Sequence, residues 1–70
     1  MKRINVKSSS IKSIGYENNT LEVEFTRGAV YQYENVDPYT FCHLIFADSV
    51  GSYFSQNIAK KYNYKEIGVN

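Results

Sequence analysis

Few residues of this chain have the types and spacing that catalysis requires. Cys42 and His43 are the one pair that resembles a nucleophile and its base. On a helix, however, adjacent side chains diverge by about 100° and do not face each other. We therefore expect a small buried cysteine beside a partly exposed histidine. Glu22 and Glu24 share one face of a strand, where a solvated sheet surface explains them better than paired catalytic carboxylates.

Metal and cofactor chemistry have no signal in the sequence. A zinc site takes several Cys or His ligands, and the 70 residues contain a single cysteine and a single histidine. Phosphate-loop, dinucleotide-binding and kinase motifs do not occur. We expect a binding protein that is not an enzyme and that holds neither a metal ion nor a cofactor.

Cellular context follows from a few simple observations. One cysteine cannot form an internal disulfide, so nothing indicates an oxidising compartment. The basic residues after Met1 are not followed by an apolar segment, which argues against a signal peptide. Apolar runs stay well short of the ~18 residues that span a bilayer. A cytoplasmic location without a membrane partner is the expectation.

Rings, cations and small residues make the best candidates for ligand binding. Tyrosines next to lysines are typical of sites that stack bases and hold phosphates. Ser49 and Gly51 open a predicted helix, where free N–H groups can bind an anion or simply form an ordinary N-cap with close packing. Tyr31 and Tyr33 are open to two interpretations, core residues or ligand contacts. The predicted ligand-binding residues are Tyr31, Tyr33, Ser49, Gly51, Tyr53, Lys60, Lys61, Tyr62 and Tyr64.

Charge is unevenly distributed along a chain whose net charge is only +1. Both ends are basic, while residues 17–48 carry six acidic side chains against Arg27 alone. A folded domain that brings its ends together would present an anionic partner with a basic pole, although solvated surface charge explains the pattern equally well. We place Tyr53 and Lys60 about two turns apart on one side of the same helix, close to this pole.

Elements that could position these residues follow from periodicity. Alternating apolar residues predict strands around Ile14, around Val23 and around Tyr31, and residues 4–6 suit an additional edge strand. Asn18-Asn19 predicts a two-residue hairpin turn. A three-residue loop that ends at Gly28 places Val23 opposite Tyr31 and Leu21 opposite Tyr33, and this register puts the tyrosines on the apolar face and Glu22 and Glu24 in solvent.

Two short helices are predicted in the second half. Asp37-Pro38 has an N-cap followed by proline at the first helical position, and Asp48-Ser49 is a second cap signal. Phe54 and Ile58 share a buried helix face. Strands followed by helices indicate an α+β domain over residues 1–70, with a small antiparallel sheet of three to four strands and two short helices packed on one face.

Taken in order, these residues resemble the KTSC domain, a family named for the C-terminus of certain lysyl-tRNA synthetases and also found as stand-alone bacterial and phage proteins. Asp37 departs from the family pattern, in which valine runs directly into proline. The matching residues are Val6 with Ser8-Ser9, Ser13-Ile14-Gly15-Tyr16, Leu21 to Phe25, Gly28, Tyr31 and Tyr33, Val36 with Pro38, Ala47-Asp48-Ser49, Gly51, Tyr53-Phe54, Ile58 and Lys61-Tyr62.

The resemblance implies a compact domain without catalytic activity. The synthetase connection implies RNA as a ligand, whereas the phage members imply a small protein that sequesters a host nucleotide messenger to counter defence. Both favour a binding module for a nucleotide-type ligand or RNA, and an adaptor or inhibitor that contacts a host protein is the alternative. A small chain rich in aromatic residues also favours a homo-oligomer, because it covers its own apolar surface poorly.

Overall fold

One antiparallel sheet runs through most of the protein, which is described here from a computed structural model covering residues 1–69. Its strands are hydrogen-bonded in chain order, β1-β2-β3-β4-β5. Within the described residues, no helix combines the length and apolar character needed to cross a membrane. The elements are β1 (Arg3–Asn5), β2 (Ile11–Glu17), β3 (Thr20–Phe25), β4 (Ala29–Tyr33), α1 (Pro38–Ile45), α2 (Val50–Asn57) and β5 (Tyr64–Val69).

The α+β class is confirmed, and the sheet has one strand more than the sequence predicted. The extra strand is β5, which begins after the helices and pairs with β4, with Tyr64 opposite Tyr33. The backbone N–H of Glu34 donates to the carbonyl of Asn63 at 2.9 Å and thereby ties the two segments together where their pairing starts. The basic, aromatic tail is therefore part of the sheet.

Both predicted turns are present and set the predicted register. Asn18 and Asn19 have φ angles of 51° and 62°, as a two-residue hairpin turn requires. Gly28 has a φ of 108°, and its N–H donates to the carbonyl of Phe25 at 2.9 Å. Leu21 consequently lies opposite Tyr33 and Val23 opposite Tyr31, which confirms the three-residue loop.

The helices begin where the caps predict. The Asp37 carboxylate accepts a hydrogen bond from the Thr40 N–H at 2.8 Å ahead of α1, and the Ser49 hydroxyl accepts one from the Ser52 N–H at 3.2 Å ahead of α2. Thr40 and Ser52 each lie three residues after the cap. The backbone bond to the Asp37 carboxylate lowers the pKa of that side chain.

The second helix is too short to contain both Tyr53 and Lys60, which the sequence analysis placed on one helix. Helix α2 ends at Asn57, and the N–H groups of Ile58 and Ala59 both donate to the carbonyl of Phe54. Ile58 is fully buried, so the chain turns there to bring residues 64–69 back to the sheet. Lys60 lies in that turn, and its placement on the helix with Tyr53 was wrong.

The core lies between one sheet face and the two helices. A bulge at Lys12 turns both Ile11 and Ile14 toward the helices, since β2 passes from Ile11 opposite Phe25 to Ser13 opposite Glu24. The buried residues of this cluster are Ile11, Ile14, Leu21, Val23, Tyr33, Val36, Leu44, Val50, Phe54 and Ile58. The predicted Phe54–Ile58 pair is among them.

The opposite sheet face differs from the prediction, because Glu22 and Glu24 are each only 7% exposed. Gly15 lies between Arg3 and Glu22 in register, so the arginine side chain crosses β2 and comes within 3.3 Å of the Glu22 carboxylate. Gln32, from β4, donates to the same carboxylate at 2.9 Å. Polar side chains of neighbouring strands therefore enclose the carboxylates and shield them from solvent.

Candidate ligand-binding site

Three tyrosines form a graded stack at the β4–β5 end of the core face. The ring of Tyr64 lies 5.4 Å from the rings of both Tyr31 and Tyr33, measured between centroids. Tyr33 is buried, Tyr31 is half-buried and Tyr64 is 56% exposed. Burial, followed by the neighbouring Tyr64 and Tyr31, raises the pKa of Tyr33 to about 12. Tyr33 is thus a core residue, and the outer two rings face solvent progressively more.

Phe25 and Arg27 extend this stack toward the start of β4. The Phe25 ring meets Tyr31 edge-on at 5.6 Å and Phe54 at the same distance. The Arg27 guanidinium carbon lies 5.6 Å from the centre of the Phe25 ring, within the range of a cation–π contact. A groove of about 310 Å³, called here the aromatic groove, is lined by Phe25, Arg27, Ser9, Ser10, Thr26, Phe54 and Ser55.

A second, polar cleft opens at the start of α2. Its volume is about 400 Å³, and we call it the serine cleft after its six serines. Asp48 and Lys7 are its charged residues. The full lining is Lys7, Ser8, Ser9, Ser10, Asp48, Ser49, Gly51, Ser52, Ser55 and Gln56.

Gly51 makes the serine cleft possible. A Cβ atom at this position would lie 3.0 Å from the Ser10 hydroxyl and 3.1 Å from the Ser8 hydroxyl. Ser8 itself is held in a tight local turn, because its hydroxyl accepts hydrogen bonds from the N–H groups of Ser10 at 3.2 Å and Ile11 at 3.3 Å. A glycine in the first turn of α2 therefore allows the serine segment to approach the helix.

The serine cleft and the aromatic groove adjoin each other. Ser9, Ser10 and Ser55 line both of them. Lys7 brings a cation to the serine cleft and Arg27 brings one to the aromatic groove, against the single carboxylate of Asp48. The combined surface joins hydroxyl donors to an apolar ring wall with a small excess of positive charge.

The nine predicted ligand-binding residues do not meet in one pocket. Ser49 and Gly51 line the serine cleft, and Tyr31, Tyr33 and Tyr64 belong to the stack beside the aromatic groove. The Tyr62 hydroxyl instead lies 3.5 Å from the Thr40 hydroxyl of α1. Lys60 and Lys61 are exposed in the turn after α2 and line neither cavity.

Tyr53 lines a separate groove between the helices. This helix groove has a volume of about 340 Å³ and is formed by Cys42, His43, Phe46, Ala47 and Tyr53. The His43 ring is nearly parallel to that of Tyr53, with 6.4 Å between their centroids, and the Tyr39 ring lies 4.3 Å from the His43 ring. Cys42 is exposed, which corrects the prediction that it is buried, because the outer side of α1 faces away from the sheet.

Sequence reasoning missed Phe25, Arg27 and the serines before β2 as site residues. Arg27 had a signal, since it is the one cation in the acidic stretch from residue 17 to residue 48. The run Ser8-Ser9-Ser10 is equally visible in the sequence, but only its packing against Gly51 gives it a role. Among residues 1–69, His, Cys, Asp and Glu side chains do not gather in any group of three or more that could hold a metal ion.

The comparisons with known proteins agree on one family. The sequence model of the KTSC domain matches residues 7–62, which include the whole lining of both cavities. The chain belongs to the KTSC domain family. The crystal structure of the KTSC domain protein YPO2434 from Yersinia pestis is similar, with a TM-score of 0.92 and 36% identity over 96% of this chain and 97% of that one.

A second relative lies closer in sequence. It is an uncharacterized protein from Stutzerimonas stutzeri (strain A1501), 46% identical over a 67-residue alignment that covers 93% of each chain. Both relatives match this KTSC domain over nearly their full lengths. The similarity thus extends beyond the family match to include β1 or β5.

Proposed function

We propose that this KTSC domain binds a small nucleotide-type ligand, with its phosphate in the serine cleft and its base in the aromatic groove. The observation that supports this most directly is that the two cavities adjoin and share Ser9, Ser10 and Ser55 in their linings. Each has a volume within the ~300–1,000 Å³ of ordinary ligand pockets.

Hydroxyl donors and one lysine suit the phosphate end. The first backbone hydrogen bond of α2 runs from the Tyr53 N–H to the Ser49 carbonyl at 3.0 Å, so the N–H groups of Val50 and Gly51 precede the regular helical pattern. Serine hydroxyls from the β1–β2 segment reach the same turn. Lys7 adds the positive charge that makes hydrogen bonds to a phosphate stronger than those between neutral groups.

Stacking suits the base end. Phe25 presents a ring in the groove, and Arg27 lies over it with a planar cation that also stacks on bases. Tyr31 supports Phe25 edge-on and extends the ring surface toward Tyr64. The pocket thus has the alternation of rings and cations that nucleotide binding uses.

The charge of the site favours a small ligand over a long RNA. Two cations, Lys7 and Arg27, against Asp48 match one phosphate or a phosphodiester, whereas an extended strand needs a continuous basic groove. The acidic middle of the chain would repel such a strand. A ligand of low charge also binds with a shallow dependence on salt concentration.

The test is calorimetric titration of the purified protein with AMP and with an adenosine oligonucleotide. We expect AMP to bind wild type and to bind the Lys7→Glu and Arg27→Gln variants at least tenfold more weakly. Lys12→Glu is the matched control, since Lys12 is exposed and lines neither cavity. Equal loss in Lys12→Glu, or stronger binding of the oligonucleotide, contradicts the small-ligand assignment. Chromatography of the recovered AMP checks that binding leaves it chemically unchanged.

Native mass spectrometry of protein purified from cells gives an independent test. A bound nucleotide would appear as a fixed mass increment that disappears in Arg27→Gln. An increment of a different chemical class, retained in that variant, would count against the aromatic groove as the base site.

A further inference from the structure

The outer face of the helical layer has almost no charge. Charged residues make up 21% of the chain, yet residues 38–59, which include both helices, contain Asp48 alone. Much of this layer is nevertheless exposed to solvent, Cys42 and His43 included. A low content of charged residues together with enrichment in aromatic residues is typical of the centre of a protein interface.

Two large rings project from this face. Phe46 is 82% exposed and Tyr39 is 72% exposed. The backbone under Phe46 is fixed, because its N–H donates to the carbonyl of Cys42 at the end of α1. An aromatic side chain buries ~150–250 Å². Because Phe46 and Tyr39 still expose about three quarters of that area, the two rings offer roughly a third to a half of the ~800 Å² per partner that a stable interface buries.

We propose that this face binds a second copy of the chain through a two-fold contact in which Phe46 of each protomer enters the helix groove of the other. A projecting ring and an apolar groove lie side by side on one patch, which is the self-complementary arrangement that a two-fold axis requires. A two-fold contact also places like residues near each other, and the lining of the helix groove contains no Lys, Arg, Asp or Glu that would repel its copy.

The dimer face is distinct from the nucleotide site. Gly51 and Tyr53 are two residues apart on α2 and therefore lie on nearly opposite sides of the helix. Gly51 faces the serine segment, and Tyr53 lines the helix groove. The second copy consequently leaves the serine cleft and the aromatic groove open, and the proposal does not depend on the nature of the ligand.

Sedimentation velocity of the full chain at low to high micromolar concentration tests the dimer. We expect wild type to sediment as a dimer, with twice the 8.1 kDa of one chain, and Phe46→Glu to sediment as a monomer that keeps the far-UV circular dichroism spectrum of the folded protein. Ile4→Glu, at an exposed apolar position on β1, is the matched control and should remain dimeric. Raising the salt concentration should not dissociate the dimer, because the contact is uncharged.

Cys42 provides a readout without any substitution. It is the single thiol of the chain and lines the helix groove. Its modification by a thiol reagent should slow at least severalfold as wild type dimerises, and should stay fast in Phe46→Glu. A wild-type monomer at every concentration overturns the proposal, as does a Phe46→Glu protein that remains dimeric or a Cys42 that reacts equally fast throughout.

Discussion

Gly51 brings the first turn of α2 so close to Ser10 that a Cβ atom would stand 3.0 Å from the serine hydroxyl. This contact closes one wall of the serine cleft. The residues concerned are far apart in sequence, so it also joins the β1–β2 segment to the helical layer. A methyl group added at Gly51 should therefore affect binding more than stability.

Gly51→Ala should weaken AMP binding severalfold while leaving the protein about as stable as wild type. The added methyl group moves the serine segment by a few tenths of an ångström, but alanine in a helix recovers up to ~1 kcal/mol relative to glycine. Calorimetry and urea unfolding measure the two effects. Gly68→Ala is the control, because nothing lies within 4 Å of a Cβ at that position. Unchanged binding in Gly51→Ala would separate this contact from the ligand site.

Glu22→Gln should lower the free energy of unfolding by about 1–3 kcal/mol. The substitution removes the charge that pairs with Arg3, and the amide keeps one acceptor oxygen where the carboxylate offers one to Arg3 and one to Gln32. Urea denaturation compares the variant with Glu17→Gln, where the side chain is exposed. If both variants lose the same stability, the contacts of Glu22 with Arg3 and Gln32 add no more to the free energy of unfolding than an exposed carboxylate does.

Stability should fall with rising pH between pH 10.0 and about 12 because of Tyr33. The unfolded chain releases the phenol proton near pH 10.0, whereas the folded protein retains it up to about pH 12. The unfolded state binds fewer protons in this window, so its formation becomes more favourable as the pH rises. Tyr33→Phe should show a smaller loss across the same range. Urea unfolding at a series of pH values measures the effect. The same slope of unfolding free energy against pH in both proteins would contradict the assignment to Tyr33.

Tyr16→Phe should destabilise the protein by about 1 kcal/mol without affecting AMP binding. The Tyr16 hydroxyl donates to the carbonyl of Val36, and its ring stacks on Phe41 at 4.4 Å, which ties α1 to the sheet. Phenylalanine keeps the stack and loses the hydrogen bond to a buried residue. Thermal melting should place Tyr39→Phe, at an exposed position, close to wild type. A larger effect in Tyr39→Phe would contradict this account.

Local signals in the sequence were enough for the turns, the caps and the register of three strands. Asn18 and Asn19 adopt left-handed conformations that few other residues tolerate, and Gly28 does so after the next strand. Once these turns are placed, the alternation of apolar residues leaves one register that buries a coherent face. Asp37 and Ser49 cap helices because each side chain bonds to a backbone group three residues away. Neighbouring residues determine all of these features.

Only the tertiary structure decided what distant segments do to each other. The tail from Tyr64 pairs as β5 because β4 presents an open edge after the two helices have turned the chain back. Glu22 is enclosed because Arg3 can cross Gly15, and the two cavities of the proposed binding site exist because Ser10 meets Gly51 while Phe25 meets Phe54. Periodicity records which face of an element is apolar. It does not record which of several apolar or polar faces will come together, since packing depends on the whole chain at once.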